Sequence, residues 1–262
     1  FGINIEGSVV FPSSQNGSYK LSNTMNYYNP YIENDVQERR ITELFQESII
    51  TAYKEDSINF SSFDLVVVFH AGIGQDFSLP FLDPTPEDIP STYIDQKMIS
   101  DNLNEVGITI GEHLIDRGII LPESQNHLLY DIAESMFGDA TDPCEYQYGL
   151  TGTFALMVGF AIGLPPLWNI ESGESRVGVF GLMDQGSNNG RGIIPAPPTA
   201  WSRIYAGWEA PIEPDFNSEM YLPLRHDGNI IKVPITDQEY YLIENRSNYV
   251  RPGVSIDSIR YL

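Results

Sequence analysis

The chain has 262 residues, enough for one large domain or two small ones, and its 42% hydrophobic and 12% aromatic residues exclude a disordered or fibrous protein. Its 14 Lys and Arg against 36 Asp and Glu leave a formal charge of −22. A surface this acidic repels phosphate backbones and anionic lipid, which argues against nucleic acid and suits a solvated extracellular protein.

Cys144 is the one cysteine, so no disulfide can close within the chain. With no histidine close to it in sequence, it reads as a small buried hydrophobe rather than a nucleophile. No signal peptide is legible and the first residue is Phe1 rather than Met, which points to a processed or excised segment of an exported bacterial protein, secreted or on the cell surface. The sequons at Asn16, Asn59 and Asn245 matter only in a glycosylating host.

Taken in order, residues 1–12 alternate weakly (Ile3, Ile5, Val9, Phe11) and predict one or two strands, closed by a turn at 13–17. The Asn/Tyr-rich stretch 23–31 predicts a long loop whose tyrosines either pack it onto the protein or offer a partner surface. Asp35 is placed to cap a helix from Val36 to Lys54, with Ile41, Leu44, Phe45, Ile49 and Ala52 on its buried face. The β-branched run 63–69, between Ser61-Ser62 and His70-Ala71-Gly72, has the form of a central strand buried on both faces. A strand after a helix and before a glycine turn implies an α/β arrangement.

Residues 75–93 are rich in Asp and Pro and fit no element, so they predict an ordered insertion. Asp83, Glu87 and Asp88 within it are the candidates for calcium, although they lack the order of an EF-hand and suit a solvated loop equally. Residues 106–120 suggest a strand with a short helix. Residues 122–137 suggest an amphipathic helix, with Pro122 near its start and Leu128, Leu129, Ile132 and Met136 inward.

The uncharged run 149–168 approaches the length of a membrane span. Pro165-Pro166 ends any helix there by about Ile162, leaving about 16 Å of helix against a hydrocarbon core of about 30 Å. Its flanks, Glu145 and Glu171, are acidic rather than basic. No membrane span is expected. Beyond it, 176–183 suggests a strand or tight turn, 184–192 a flexible loop, and 199–205 a short helix. The alternation of Met220, Leu222 and Leu224, of Ile230, Val233 and Ile235, and of Tyr240 and Leu242 predicts hairpins.

The residues that carry chemistry are sparse. The four histidines, His70, His113, His127 and His226, include no pair at i, i+4, so no helical two-histidine zinc site can form. His127 with Asp131, and Glu112-His113 with Asp116, have ligand-like spacing that a solvated face explains as well. His226 lies beside Asp227-Gly228 in a turn, and His70 closes a strand as a structural histidine would. There is no Gly-x-Ser-x-Gly elbow and no phosphate loop with lysine, and Gly72-Ile73-Gly74 lacks the third glycine of a nucleotide fingerprint.

Five blocks in order nonetheless resemble the M6 (immune inhibitor A-like) metallopeptidase family. They are Leu65-Val-Val-Val-Phe-His-Ala-Gly72 with Gln75-Asp76; Gly152-Thr-Phe-Ala155 into a helix ending Gly163-Leu164-Pro165; Gly181-Leu182-Met183-Asp184-Gln-Gly-Ser187; Pro195-Ala-Pro-Pro-Thr-Ala-Trp201 with Gly207-Trp208; and Glu239-Tyr-Tyr-Leu-Ile-Glu-Asn-Arg246. The resemblance spans most of residues 63–246. It implies an α/β (α+β) zincin-like scaffold, with a mixed twisted sheet and a central buried former active-site helix. One such domain then covers 1–262, β-rich from about 210 onward.

In that family the helix carries His-Glu-x-x-His. Aligned on Gly163, those positions hold Leu156, Met157 and Phe160, and the position of a third ligand holds Pro166. The corner Gly163-Leu164-Pro165 and the Met-turn residue Met183 are retained. Zinc needs electron-pair donors at about 2.0–2.3 Å, which Leu and Phe lack, and no general base remains to activate a metal-bound water.

The expectation is therefore a catalytically inactive peptidase-like domain without zinc. It would have a structural, assembly or binding role toward a protein partner or copies of itself. Tyr27, Tyr28, Tyr31 and the Asp/Pro-rich loop are its exposed candidates. Two alternatives stay open at this point: a metal-dependent hydrolase with a relocated site using His70, His113 or His127, and an unrelated secreted α/β binding protein.

Overall fold

A computed structural model describes residues 6–13, 17–30, 34–76, 85–125, 149–215, 217–224 and 229–246. The chain is mixed α/β, with three small sheets and few helices among these residues. The main sheet has three strands in the order β1 (Val66–Gly74), β5 (Gly118–Gln125) and β2 (Thr92–Ile94). β1 runs parallel to β5, and β2 antiparallel to it on the other side.

One face of this sheet is covered by α2 (Asn34–Asp56), where Ile41, Leu44, Phe45, Ile49 and Ala52 recur at helical spacing and are all buried. That face takes Val66, Val68, Ile94 and Ile120, together with Ile99 of α3 (Gln96–Leu103) and the hairpin of β3 (Ile108–Ile110) and β4 (His113–Ile115). The opposite face takes Val67, Tyr93, Ile119 and Leu121 against α4 (Thr151–Ala161). Successive strand residues thus point into different cores, as a two-residue period requires. At Gly118 a Cβ would lie 2.1 Å from Phe45 Cζ, so α2 packs directly on the backbone of the middle strand.

Several expectations are corrected. α2 starts at Asn34, so Asp35 lies inside its first turn and not at the cap; the helix continues two residues past Lys54 and stops where Ser57 turns to φ +52°. The strand read at 63–69 begins at Val66 and, among the described residues, lies at the edge of the sheet, with Phe69 59% exposed; the middle of the sheet there is β5, buried without a break from Gly118 to Pro122. No helix lies within 106–120, and Pro122 is a strand residue facing His70 in register. It has no N–H to give the ladder, and the β1–β5 register shifts just beyond it, between His70 and Ile73. The rest of the helix expected at 122–137 lies outside the described residues, apart from the strand residues up to Gln125.

Residues 6–12 form no strand: Val9 and Val10 are exposed, and Phe11 anchors the segment by packing on Phe63. The Asn/Tyr-rich stretch contains a one-turn helix, α1 (Met25–Tyr28), and its tyrosines pack inward. Tyr28 is buried with its hydroxyl on Glu47, and half-buried Tyr27 donates to Glu43 at 3.0 Å under the Arg40 guanidinium. They are packing residues rather than exposed candidates, and Tyr31 lies outside the described residues. Helix α3 has no precursor in the chain-order expectations. Asp95 caps it by accepting from Met98 N at 2.7 Å, and Asn104 ends it at φ +56°.

Toward the C-terminus, α5 (Ala200–Tyr205) is capped by Thr199, which accepts from Ser202 N. β6 (Ile231–Pro234) and β7 (Tyr240–Ile243) form the expected hairpin. Of Met220, Leu222 and Leu224, only Leu224 makes an isolated bridge, to Asn245. The buried Arg203 guanidinium clips the hairpin to α5, bonding Glu209 at 2.9 Å and Glu244 at 2.7 Å. Among the described residues no helix is long and apolar enough to cross a membrane.

Candidate functional site

Helix α4 is where the sequence resemblance expects chemistry. It carries no charge and no amphipathic pattern, with Gly152, Thr153, Gly159 and Ala161 buried, Leu156, Met157 and Phe160 half-buried, and Phe154 exposed. Glycines bring neighbouring backbone onto it. A Cβ at Gly152 would lie 1.8 Å from Ser187 O, and Gly152 N donates to Gly192 O at 2.8 Å. The helix closes with two paired bonds, Gly163 N to Phe160 O and Leu164 N to Gly159 O, each 2.9 Å, with Gly163 at φ +88°. This is a Schellman ending, in which a left-handed glycine follows the helix and the next apolar residue, here the buried Leu164, packs back. Pro165 then bars any continuation.

Leu156 and Phe160, one turn apart, share a face that packs with Leu164, Leu182, Met183 and Ala206. Met157 turns instead to the sheet, against Ile119 and Leu121. The Phe160 ring lies 6.0 Å from that of Tyr93 and 5.8 Å from that of Trp168, the latter edge to face. Pro166 is half-buried, and the next residue donates from Leu167 N to Met183 O at 2.8 Å, drawing the corner onto the Met183 turn. Of the four positions aligned with metal ligands and base, Leu156 and Phe160 therefore share one apolar cluster edged by aromatic rings, Met157 belongs to the core against the sheet, and Pro166 lies at the corner after the helix. Burial pushes the Tyr93 phenol up, which Arg117 only partly opposes, so that hydroxyl stays neutral.

Met183 is held by Asp184, a residue that reads in sequence as the start of a flexible loop. The structure corrects that: Asp184 and Ser187 are buried. Asp184 Oδ2 accepts from Ser175 Oγ at 2.9 Å and from the amides of Arg176, Val177 and Gly178 at 2.9, 2.8 and 3.0 Å, while Oδ1 accepts from Gln185 N at 2.8 Å. Burial alone would raise its pKa, but these donors outweigh it and hold the carboxyl below the usual range. The only sequence signal was an Asp just before a glycine-rich turn.

A second, polar constellation gathers at the C-terminal ends of β1 and β5, and sequence reasoning missed it. Asp76 accepts from Ser91 N on Oδ1 and from Ser91 Oγ on Oδ2, both at 2.7 Å. Gln125 Nε2 donates to Thr153 Oγ1 of α4 at 3.1 Å. These residue types are common in any loop, and only the fold brings them together.

The remaining candidates are dispersed. Asp88 accepts from Thr85 Oγ1 at 2.7 Å within its own turn and Glu87 is exposed, while Asp83 lies outside the described residues. His70 places Nδ1 3.0 Å from Ala71 O and Nε2 3.1 Å from Ile89 O. His113 pairs with Ile110 in the β3–β4 hairpin, beside a hollow lined by Tyr53, Asn59 and Glu112. His127, Asp131, Cys144 and His226 fall outside the described residues. Among those described, no three of His, Cys, Asp and Glu converge as a metal site would require. Compared with family models, with curated proteins and with solved structures, the chain matches none.

Proposed function

We propose that this chain is a catalytically inactive relative of the M6 metallopeptidases on a zincin-like scaffold, with a binding, structural or assembly role in a secreted or cell-surface protein. The observation that carries this reading is the packing of Leu156 and Phe160 against Met183, directly before the Gly163-Leu164-Pro165 ending. A catalytic helix in this position would present ligand atoms toward that methionine. Here the same face is filled with side chains that have no lone pair to give.

Energetics supports the same reading. Histidine and glutamate on this half-buried face would incur desolvation, whereas the partly buried Leu156, Met157 and Phe160 each contribute a share of the roughly 1.5–3 kcal/mol of a fully buried apolar side chain. Exchanging ligands for hydrocarbon turns an active-site floor into core, which suits a domain retained for its shape. The partner class that follows is protein, another chain or a further copy of this one, since the −22 charge disfavours polyanions.

Metal analysis of the full chain with a proteolysis assay tests the reading. The expected result is zinc well below one equivalent and no chelator-sensitive cleavage of a broad peptide panel. Near-equimolar zinc, with cleavage abolished by chelator, overturns it.

A further inference from the structure

The apolar floor makes no use of the buried polar group at the ends of the parallel strands. Asp76 follows β1 by two residues, Gln125 closes β5, and Thr153 sits in the first turn of α4. Gln125 is 1% exposed and pairs in register with Gly74, two residues before Asp76, and its Nε2 donates to Thr153 Oγ1 at 3.1 Å on the side where the Asp76 carboxyl lies. The Oε1 of that amide has no hydrogen-bond partner. A carboxylate beside it cannot help, because both groups are acceptors. Only the acid form of Asp76 offers an O–H.

We propose that Asp76 carries a proton in the folded protein and donates it to Gln125 Oε1 while Gln125 Nε2 donates back, forming a neutral acid–amide pair. The pair ties the end of β1 to the end of β5 and, through Thr153, to α4, and it releases when the proton leaves. Both amide atoms and both carboxyl oxygens are then partnered, which the anionic form cannot achieve.

The surrounding charges do not override this. Burial raises the Asp76 pKa, and the donors from Ser91 and Gln125 and the nearby His70 oppose it without reversing the direction. The neighbouring elements carry three further carboxylates: Glu123 on β5, which accepts from Gly72 N at 3.2 Å, and Glu87 and Asp88 in the 85–91 segment. Helix α4 brings no charged side chain, only the positive end of its dipole, which favours the anion weakly. Because the folded pKa is raised, the stabilising contribution is complete below the ordinary carboxylate pKa and is lost as pH rises through the folded value.

The experiment is a carbon-13 NMR titration of the full chain, observing Asp76 Cγ and Gln125 Cδ, alongside urea unfolding of wild type and Asp76→Asn across the same pH range. We expect the Asp76 midpoint to lie above the usual carboxylate range, and Gln125 Cδ to shift with the same midpoint. The wild-type urea midpoint should fall through that window. Asp76→Asn, which offers an N–H to Oε1 at every pH, should lose that fall. An Asp76 midpoint in the ordinary range overturns the proposal. So does a Gln125 Cδ that stays still while Asp76 titrates, since the proton then goes to Ser91 Oγ instead. If Asp76→Asn does not fold, the wild-type titration decides alone.

Discussion

The sulfur of Met183 rests on the backbone of Gly159: a Cβ built there would lie 2.5 Å from Sδ and 3.0 Å from Cε. Gly159 sits between Leu156 and Phe160 in the uncharged helix α4, and Met183 is fully buried. The contact gives that glycine its place in mid-helix, where its intrinsic propensity is about 1 kcal/mol worse than that of alanine.

Gly159→Ala should therefore destabilise the protein despite the better helix former. Overpacking a closed core costs about 1–3 kcal/mol, more than the propensity gain. Urea unfolding should show a lowered midpoint, and Gly159→Ala/Met183→Ala should recover part of the loss relative to Met183→Ala alone. Additive effects of the two changes would contradict a direct contact.

Installing the missing ligands tests the scaffold reading from the other side. Leu156→His/Phe160→His places two imidazoles one turn apart on the face that meets Met183. The variant should lose stability without metal, by about 2–5 kcal/mol for the apolar groups removed. Added zinc should restore part of it, seen as a higher thermal midpoint, while wild type does not respond. A variant indifferent to zinc would show that this face does not have the geometry of a ligand helix.

The Asp184 cradle predicts a dependence on acid. Replacing it in Asp184→Ala leaves four backbone amides and the Ser175 hydroxyl without their acceptor, at about 1–3 kcal/mol for each donor that stays buried and unpaired. Since its folded pKa is lowered, its contribution is present above the ordinary carboxylate pKa and is lost as pH falls through the folded value. The stability gap between wild type and Asp184→Asn should narrow in that acidic window, and a gap independent of pH would refute the assignment.

Arg203 and Glu244 predict how the C-terminal hairpin stays attached. Burial opposes the charge on Glu244, and Arg246 and Arg203 outweigh it, lowering its pKa. Arg203→Ala removes one of those cations from a nearly closed site, which costs about 3–5 kcal/mol when a buried carboxylate loses its partner. Arg246, 2.7 Å from Glu244, holds the cost toward the lower end. Amide exchange should speed up in residues 231–243 before it does in β5, and uniform exchange would argue against a local clip.

The local signals in the chain were read correctly where one element's own residues supply the physics. The spacing of Ile41, Leu44, Phe45 and Ile49 made α2 legible because a helix buries a stripe that its sequence alone defines. The short helix at 199–205, the stop at Gly163-Leu164-Pro165 and the β6–β7 alternation were legible for the same reason, although Thr199 turned out to cap that helix. Helix α3 escaped notice because eight residues with one fully buried side chain, Ile99, give too short a period to read.

What tertiary structure alone decided is which partner each segment takes. The sequence by itself determined an acidic, mixed α/β chain whose α4 positions 156, 157 and 160 hold no ligand atoms. It could not rank β1 against β5 for the middle of the sheet, since both are apolar runs and hydrogen-bond partners are chosen across long separations. Nor could it show Asp184 inside a nest of amides, or Asp76 beside Gln125. Those residues look like solvated loop positions until folding removes the water, and a buried polar atom must then find its partner in whatever the fold brings near.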